Sequence, residues 1–146
     1  MKVRKERNSL GEMDVPLTPY YGIQTHRAIQ NFPVSGQRAH SRLIQAYVMI
    51  KRAAALTLCE LGRLDHPRSQ AIVTACDEIL DGRMIDQFVV DVFQAGAGTS
   101  FNMNVNEVVA NPALEILEKP RGDCGFLSPN NLSTTGIHGA MKVDKF

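Results

Sequence analysis

The stretch from Gln94 to Asn106, QAGAGTSFNMNVN, brings together three residue types that suit the binding of a small anion. Gly96, Ala97 and Gly98 form a small-residue run where the backbone can approach a ligand and adopt positive φ. Thr99 and Ser100 follow with hydroxyl donors, and a helix opening there adds its exposed first amides and its dipole. A hydroxyl donated to a charged acceptor contributes ~1.5–3 kcal/mol. The phosphate loop of nucleotide enzymes ends in Gly-Lys-Ser/Thr, whereas Phe101 follows Ser100 here, so a small carboxylate fits better than a nucleotide. A plainer alternative has Gly98 ending a turn, Thr99 or Ser100 capping a helix, and nothing bound. The asparagines weigh against it. Asn is a poor helix former, and Asn102 with Asn106 on one face and Asn104 with Asn111 on another call for buried polar networks or ligand contacts.

Other groups able to do chemistry read as structural. His26 sits in YYGIQTHRA, His40 lies near a helix start, and His138 belongs to no motif. Lys51 and Arg52 fall away from the expected core stripe and are assigned to a solvated helix face. Cys59, Cys76 and Cys124 are odd in number and show no metal-ligand spacing, which argues against disulfides and structural zinc. Free thiols suit a reducing, cytoplasmic compartment.

The elements that must position the anion loop are mainly helical. The first forty residues, with Pro16, Pro19, Pro33, Gly11, Gly22 and Gly36, keep no period and read as an extended, loop-rich lead-in. From Ser41, the steps of three and four through Leu43, Tyr47, Ile50, Ala54, Leu58 and Leu61 predict an amphipathic helix that stops at Gly62. A second helix fits Pro67 to Leu80, with Asp65 or His66 at the cap and Ile72, Ala75, Cys76 and Ile79 inward, so the two make a helical hairpin. Phe88 to Phe93 suits either a strand or a buried extended segment. A third helix starts at Thr99 or Ser100, and Pro112 predicts a kink or an end near Asn111, because a straight path costs ~3 kcal/mol or more. After Pro120 the chain reads as loop.

Composition sets the class. At 146 residues, 44% hydrophobic and 21% charged, the chain suits one soluble globular domain. Sixteen basic against fifteen acidic residues leave a formal charge of +1, which provides no global field for nucleic acid or an anionic membrane. Gln45, Lys51, Arg52 and Glu60 interrupt the longest apolar stretch, Leu43 to Leu61, and exclude it as a membrane span. No targeting segment is evident.

The line DQFVVDVFQAGAGTSFNMNVNEVVAN, Asp86 to Asn111, resembles the signature of the aspartase/fumarase superfamily, with support from Leu10 to Gly36 and Ile50 to Asp65 in the family's order. The GAGTS form, with Val34-Ser35-Gly36 after Asn31-Phe32-Pro33, looks like the aspartate ammonia-lyase branch, whereas fumarases usually carry GSGTQ. The resemblance implies reversible elimination of ammonia from L-aspartate to give fumarate, without metal or organic cofactor. It makes Thr99, with Ser100 beside it, the contact for the carboxylate of a small dicarboxylate substrate. It also implies a homotetramer whose active sites draw on three subunits and whose catalytic base is a serine on a mobile loop with no counterpart in these residues. Residues 1–120 are then the lyase N-terminal domain and 121–146 a divergent or truncated tail, with the central helical bundle missing. Ser128-Pro129-Asn130 keeps the family spacing from Thr99, but the Ser-Thr-Asn-Asp motif that should follow is replaced; ungapped it falls on His138, Gly139 and Ala140, and with a deletion Ser133 and Thr134 stand in. A chain of this kind is expected to bind without turning over alone. The alternatives are the front of a fumarase-type hydro-lyase and a non-catalytic helical binding or assembly module.

Overall fold

A computed structural model describes residues 2–132 of the chain. The lead-in carries structure that periodicity does not announce. Strands β1 (Val3–Asn8) and β2 (Gly11–Pro16) pair antiparallel, with Val3 opposite Pro16 and Asn8 opposite Gly11. Asn8 Oδ1 accepts the amide of Leu10 at 2.9 Å and closes the turn. Both strands are largely polar and mostly exposed or half-buried; Glu6 is the buried residue of β1 and Val15 that of β2, so there is no apolar alternation to see. The Arg4 guanidinium fixes the path onward by donating to the carbonyls of Pro16, Pro19 and Tyr21 at 2.8, 3.0 and 2.6 Å. Helix α1 (Ile23–Asn31) follows.

Helices α2 (Ser41–Glu60) and α3 (His66–Leu80) form the expected hairpin, and α4 (Thr99–Ile116) packs across it and against α1. Asp65 caps α3 by accepting the Arg68 amide at 3.0 Å, and His40 caps α2 through Nδ1. The core joins Ile44, Val48 and Ala55 of α2, Ile72, Cys76 and Ile79 of α3, and Val105, Val108 and Leu114 of α4.

Three expectations are corrected. The inward face of α2 is Ile44, Val48, Lys51, Ala54, Ala55 and Leu58, while Leu43, Ile50 and Leu61 are exposed. The helix is apolar on two faces, so its period fits either, and packing against α3 and α4 makes the choice. Lys51 therefore lies inside, while Arg52 stays at the surface paired with Asp77 at 2.7 Å. Helix α4 also does not end at Asn111 but runs through Pro112 to Ile116. The Asn111 side chain is tied on both sides, donating to Tyr20 O at 2.6 Å and accepting from Gly122 N at 2.8 Å, and its neighbours are buried. This tertiary packing offsets the missing proline hydrogen bond.

Phe88 to Phe93 is extended and makes an isolated bridge between Asp91 and Arg38 rather than a strand among the described residues. Beyond Pro120, a short turn of helix at Pro129–Leu132 packs on α4 and buries Leu132, with Leu127 beside it. Ser133, Thr134 and His138 lie outside the described residues.

Candidate functional site

Two carboxylates hold the approach to α4 in place. Asp91 accepts from Ser35 N at 2.7 Å, Ser35 Oγ at 2.8 Å, Gly36 N at 2.7 Å and Phe93 N at 2.8 Å. Burial works to raise its pKa, but the donors from Phe93, Ser35 and Gly36 outweigh it and hold the carboxyl down at about 2. Glu107, in the middle of α4, reaches the start of α1 and accepts from Gly22 N, Gln24 N and Thr25 N at 2.9, 2.8 and 3.0 Å. Burial raises its pKa against the pull of those amides. Glu6 accepts from Ile23 N at 2.8 Å, so the start of α1 is closed by two acids of the protein itself.

The start of α4 is different. Gly96–Gly98 makes one tight helical turn in which Ala97 and Gly98 both take left-handed backbone, with φ 62° and 69°. Gly98 is the N-cap and contributes no side chain. The exposed Thr99 has only a long hydroxyl contact to Gly96 O, at 3.4 Å, and Ser100 is half-buried. Neither is the cap, contrary to the plainer alternative. Gln94 takes one first-turn amide, its Oε1 accepting from Phe101 N at 2.5 Å. The first turn holds no acidic residue. The α4 start thus presents hydroxyls, remaining amides and a positive dipole end to solvent, and a neutral carbonyl that an anion can displace.

The asparagines divide by role. Asn104 is buried and staples the preceding segment, accepting from Val89 N at 2.9 Å and donating to Gln87 O at 3.0 Å. Asn111 does the same for the loops at the far end. Asn102 instead accepts from Lys51 Nζ at 2.7 Å, one turn from Thr99. Asn106 is fully buried, and its Oδ1 has no partner among the described residues.

Not every candidate converges on the loop. Pro129 lies against Ala110, Asn111 and Leu114, some 17 Å along α4 from Thr99 at 1.5 Å per residue. His26 contacts Gln30 at 3.4 Å and stacks near Tyr21. Among the described residues Thr99 and Ser100 line neither a cleft of about 290 Å³ around Phe32, Arg38 and Val89 nor one of about 500 Å³ around Arg4 and Arg121. The α4 start is an open wall. The burial of Lys51 departs from the expectation of a solvated face, and its signal was its phase: it is seven residues from both Ile44 and Leu58.

Comparison with known proteins sets this wall in context. The family model described as lyase matches residues 11–142. The aspartate ammonia-lyase of Bacillus subtilis (strain 168) is 51% identical over 127 residues, covering 87% of this chain and 27% of the relative. The class II fumarate hydratase of Halobacterium salinarum is 52% identical over 120 residues, covering 82% and 26%. A crystal structure of fumarate lyase:delta crystallin from Brucella melitensis in native form superposes with a TM-score of 0.86 at 52% identity, covering 89% of this chain and 31% of that one. The chain spans under a third of the length of the curated relatives it matches.

Proposed function

This chain belongs to the lyase family, within the aspartase/fumarase superfamily, and on that premise we propose that it supplies one wall of the substrate site of an aspartate ammonia-lyase. The observation that carries the proposal is the α4 start, where Gly98, Thr99 and Ser100 offer donors to an anion in a turn free of acidic residues. In this reading Thr99 Oγ1 and the first-turn amides hold one carboxylate of L-aspartate, with Ser100 beside them. The carbon acid next to a carboxylate is weak, so removing its proton needs a base and donors that stabilise the resulting dianionic carboxylate before ammonia leaves. The base is assigned to a serine loop without counterpart in these 146 residues, so the chain alone binds without turnover. The working enzyme is read as a cytoplasmic homotetramer.

The strong identity to a fumarate hydratase supports a second reading, in which the group eliminated is water from L-malate. A chimera separates the two. The matching N-terminal segment of the Bacillus subtilis aspartate ammonia-lyase is replaced by this chain, and fumarate formation is followed with L-aspartate and with L-malate. The expected result is turnover of L-aspartate, reduced about 100-fold in kcat/KM by Thr99→Val, the scale of losing one oxyanion donor. A tetrameric chimera that acts on L-malate alone establishes the hydratase reading. Turnover of L-aspartate by the 146-residue chain itself contradicts its assignment as a binding wall only.

A further inference from the structure

We infer that Lys51 is a positioning residue of the anion site at the α4 start: a buried cation that holds Asn102 and supplies positive charge against which a ligand carboxylate binds. The inference rests on the reading of that site given above. Lys51 is 1% exposed, and its Nζ donates to Asn102 Oδ1 at 2.7 Å, in the helix turn that Thr99 opens. Among the described residues Asn102 is its one hydrogen-bond partner, and no carboxylate lies within ion-pairing distance. An ammonium carries three donors, so two go unanswered by protein groups among the described residues.

The other buried charges show how differently this fold treats a charge it needs only for stability. Glu107 has three amides, Asp91 four donors, and Glu6 both Arg4 at 2.7 Å and the Ile23 amide. Lys51 has one neutral amide. It also sits by the wrong end of α4, since a cation near a helix N-terminus meets the positive end of the dipole. A buried, underpaired cation beside a positive helix start costs stability, and an apolar side chain would fill the same space without that cost. A dianionic ligand at Thr99 answers both unfavourable features at once. Asn102, half-buried between the lysine and the surface, connects them.

Few other groups titrate around Lys51. Cys76 faces it from α3, with its thiol pushed up to about 12 mainly by burial, so it stays neutral through the working range. From α4 the facing group is the neutral Asn102, and the turn Pro129–Leu132 carries no titratable residue. Arg52 and Asp77 pair at the surface. Burial lowers the pKa of Lys51 itself.

The test titrates the 146-residue protein with succinate, an unreactive dicarboxylate, by calorimetry from about pH 7 to about pH 10, alongside Lys51→Met, Lys51→Arg and Thr99→Val. Expected are binding weakened about tenfold or more in Lys51→Met with a melting temperature no lower than the parent, and near-parental binding in Lys51→Arg. Parental binding should weaken as pH rises through the lowered lysine pKa, and Lys51→Arg, always charged, should lose that dependence. Succinate binding lost in Thr99→Val but intact in Lys51→Met overturns the role of Lys51 and leaves the site standing. A drop in melting temperature that tracks the loss of binding in Lys51→Met makes Lys51 structural and also overturns it. Absence of succinate binding to the parent overturns the α4 site and this inference with it.

Discussion

Ala97 is the residue whose conformation most clearly marks the loop before α4. An L-residue in left-handed backbone costs about 1–2 kcal/mol, and Ala97 holds φ 62° where the neighbouring glycine holds 69°. Ala97→Gly removes that strain but adds chain entropy to the unfolded state, so a net gain of about 0.5–1 kcal/mol is expected in urea unfolding. Gly22 is the opposite case, since its φ is ordinary and its space is not. A Cβ there would lie 2.8 Å from Glu6 Oε2 and 2.9 Å from Glu107 Oε1, and both acids are held by backbone amides. Gly22→Ala should cost about 2–3 kcal/mol by forcing these groups apart, and parental stability would show that the acids can move. At this scale the sequence singles out Thr99 and Ser100 through type and order. Lys51 was not legible, because one charge in a helix with two apolar faces looks solvated until the packing partner is known. Asn104 and Asn111 were legible as buried polar groups, though not which loops they staple.

Among the elements, α3 and the start of α4 could be placed to within a residue because cap and period agree: Asp65 before Pro67, and Gly98 before Thr99. The β1–β2 hairpin could not be, since its one buried β1 residue is an acid and its stabilisation comes from Arg4, whose partners lie up to seventeen residues away. Pro112 misleads for the same kind of reason, local cost overridden by side-chain ties at Asn111. The loop at Ser35–Gly36 makes a pH prediction. The Asp91 carboxyl is held at about 2, below its ordinary value near 3.8, so it favours folding above that ordinary range and the contribution is lost as pH falls through the interval. Amide exchange at Ser35, Gly36 and Phe93 should therefore accelerate, relative to the intrinsic rate, between about pH 4 and about pH 2, and Asp91→Asn should remove the dependence. Acceleration that is unchanged in Asp91→Asn would assign the loop's anchoring elsewhere.

The whole molecule leaves one face of α2 apolar and open. Leu43, Met49, Ile50 and Leu56 are 46, 54, 47 and 41% exposed, and Ala46 and Ala53 lie between them, with Arg42 and Glu60 only at the two ends of the stripe. Such a face favours association with a second copy of the chain. Sedimentation should show concentration-dependent self-association, abolished by Met49→Glu with Ile50→Lys at little cost in melting temperature; a strictly monomeric parent would contradict this. The α4 start packs against Tyr47 and Lys51 of the same helix, and amide-resolved NMR of the 146-residue protein titrated with fumarate tests it most directly as an anion site. Saturable shifts are expected at Ser100, Phe101 and Asn102, where the ligand competes with the Gln94 carbonyl. Shifts absent there, or confined to the cleft around Gly36 and Arg38, would contradict it.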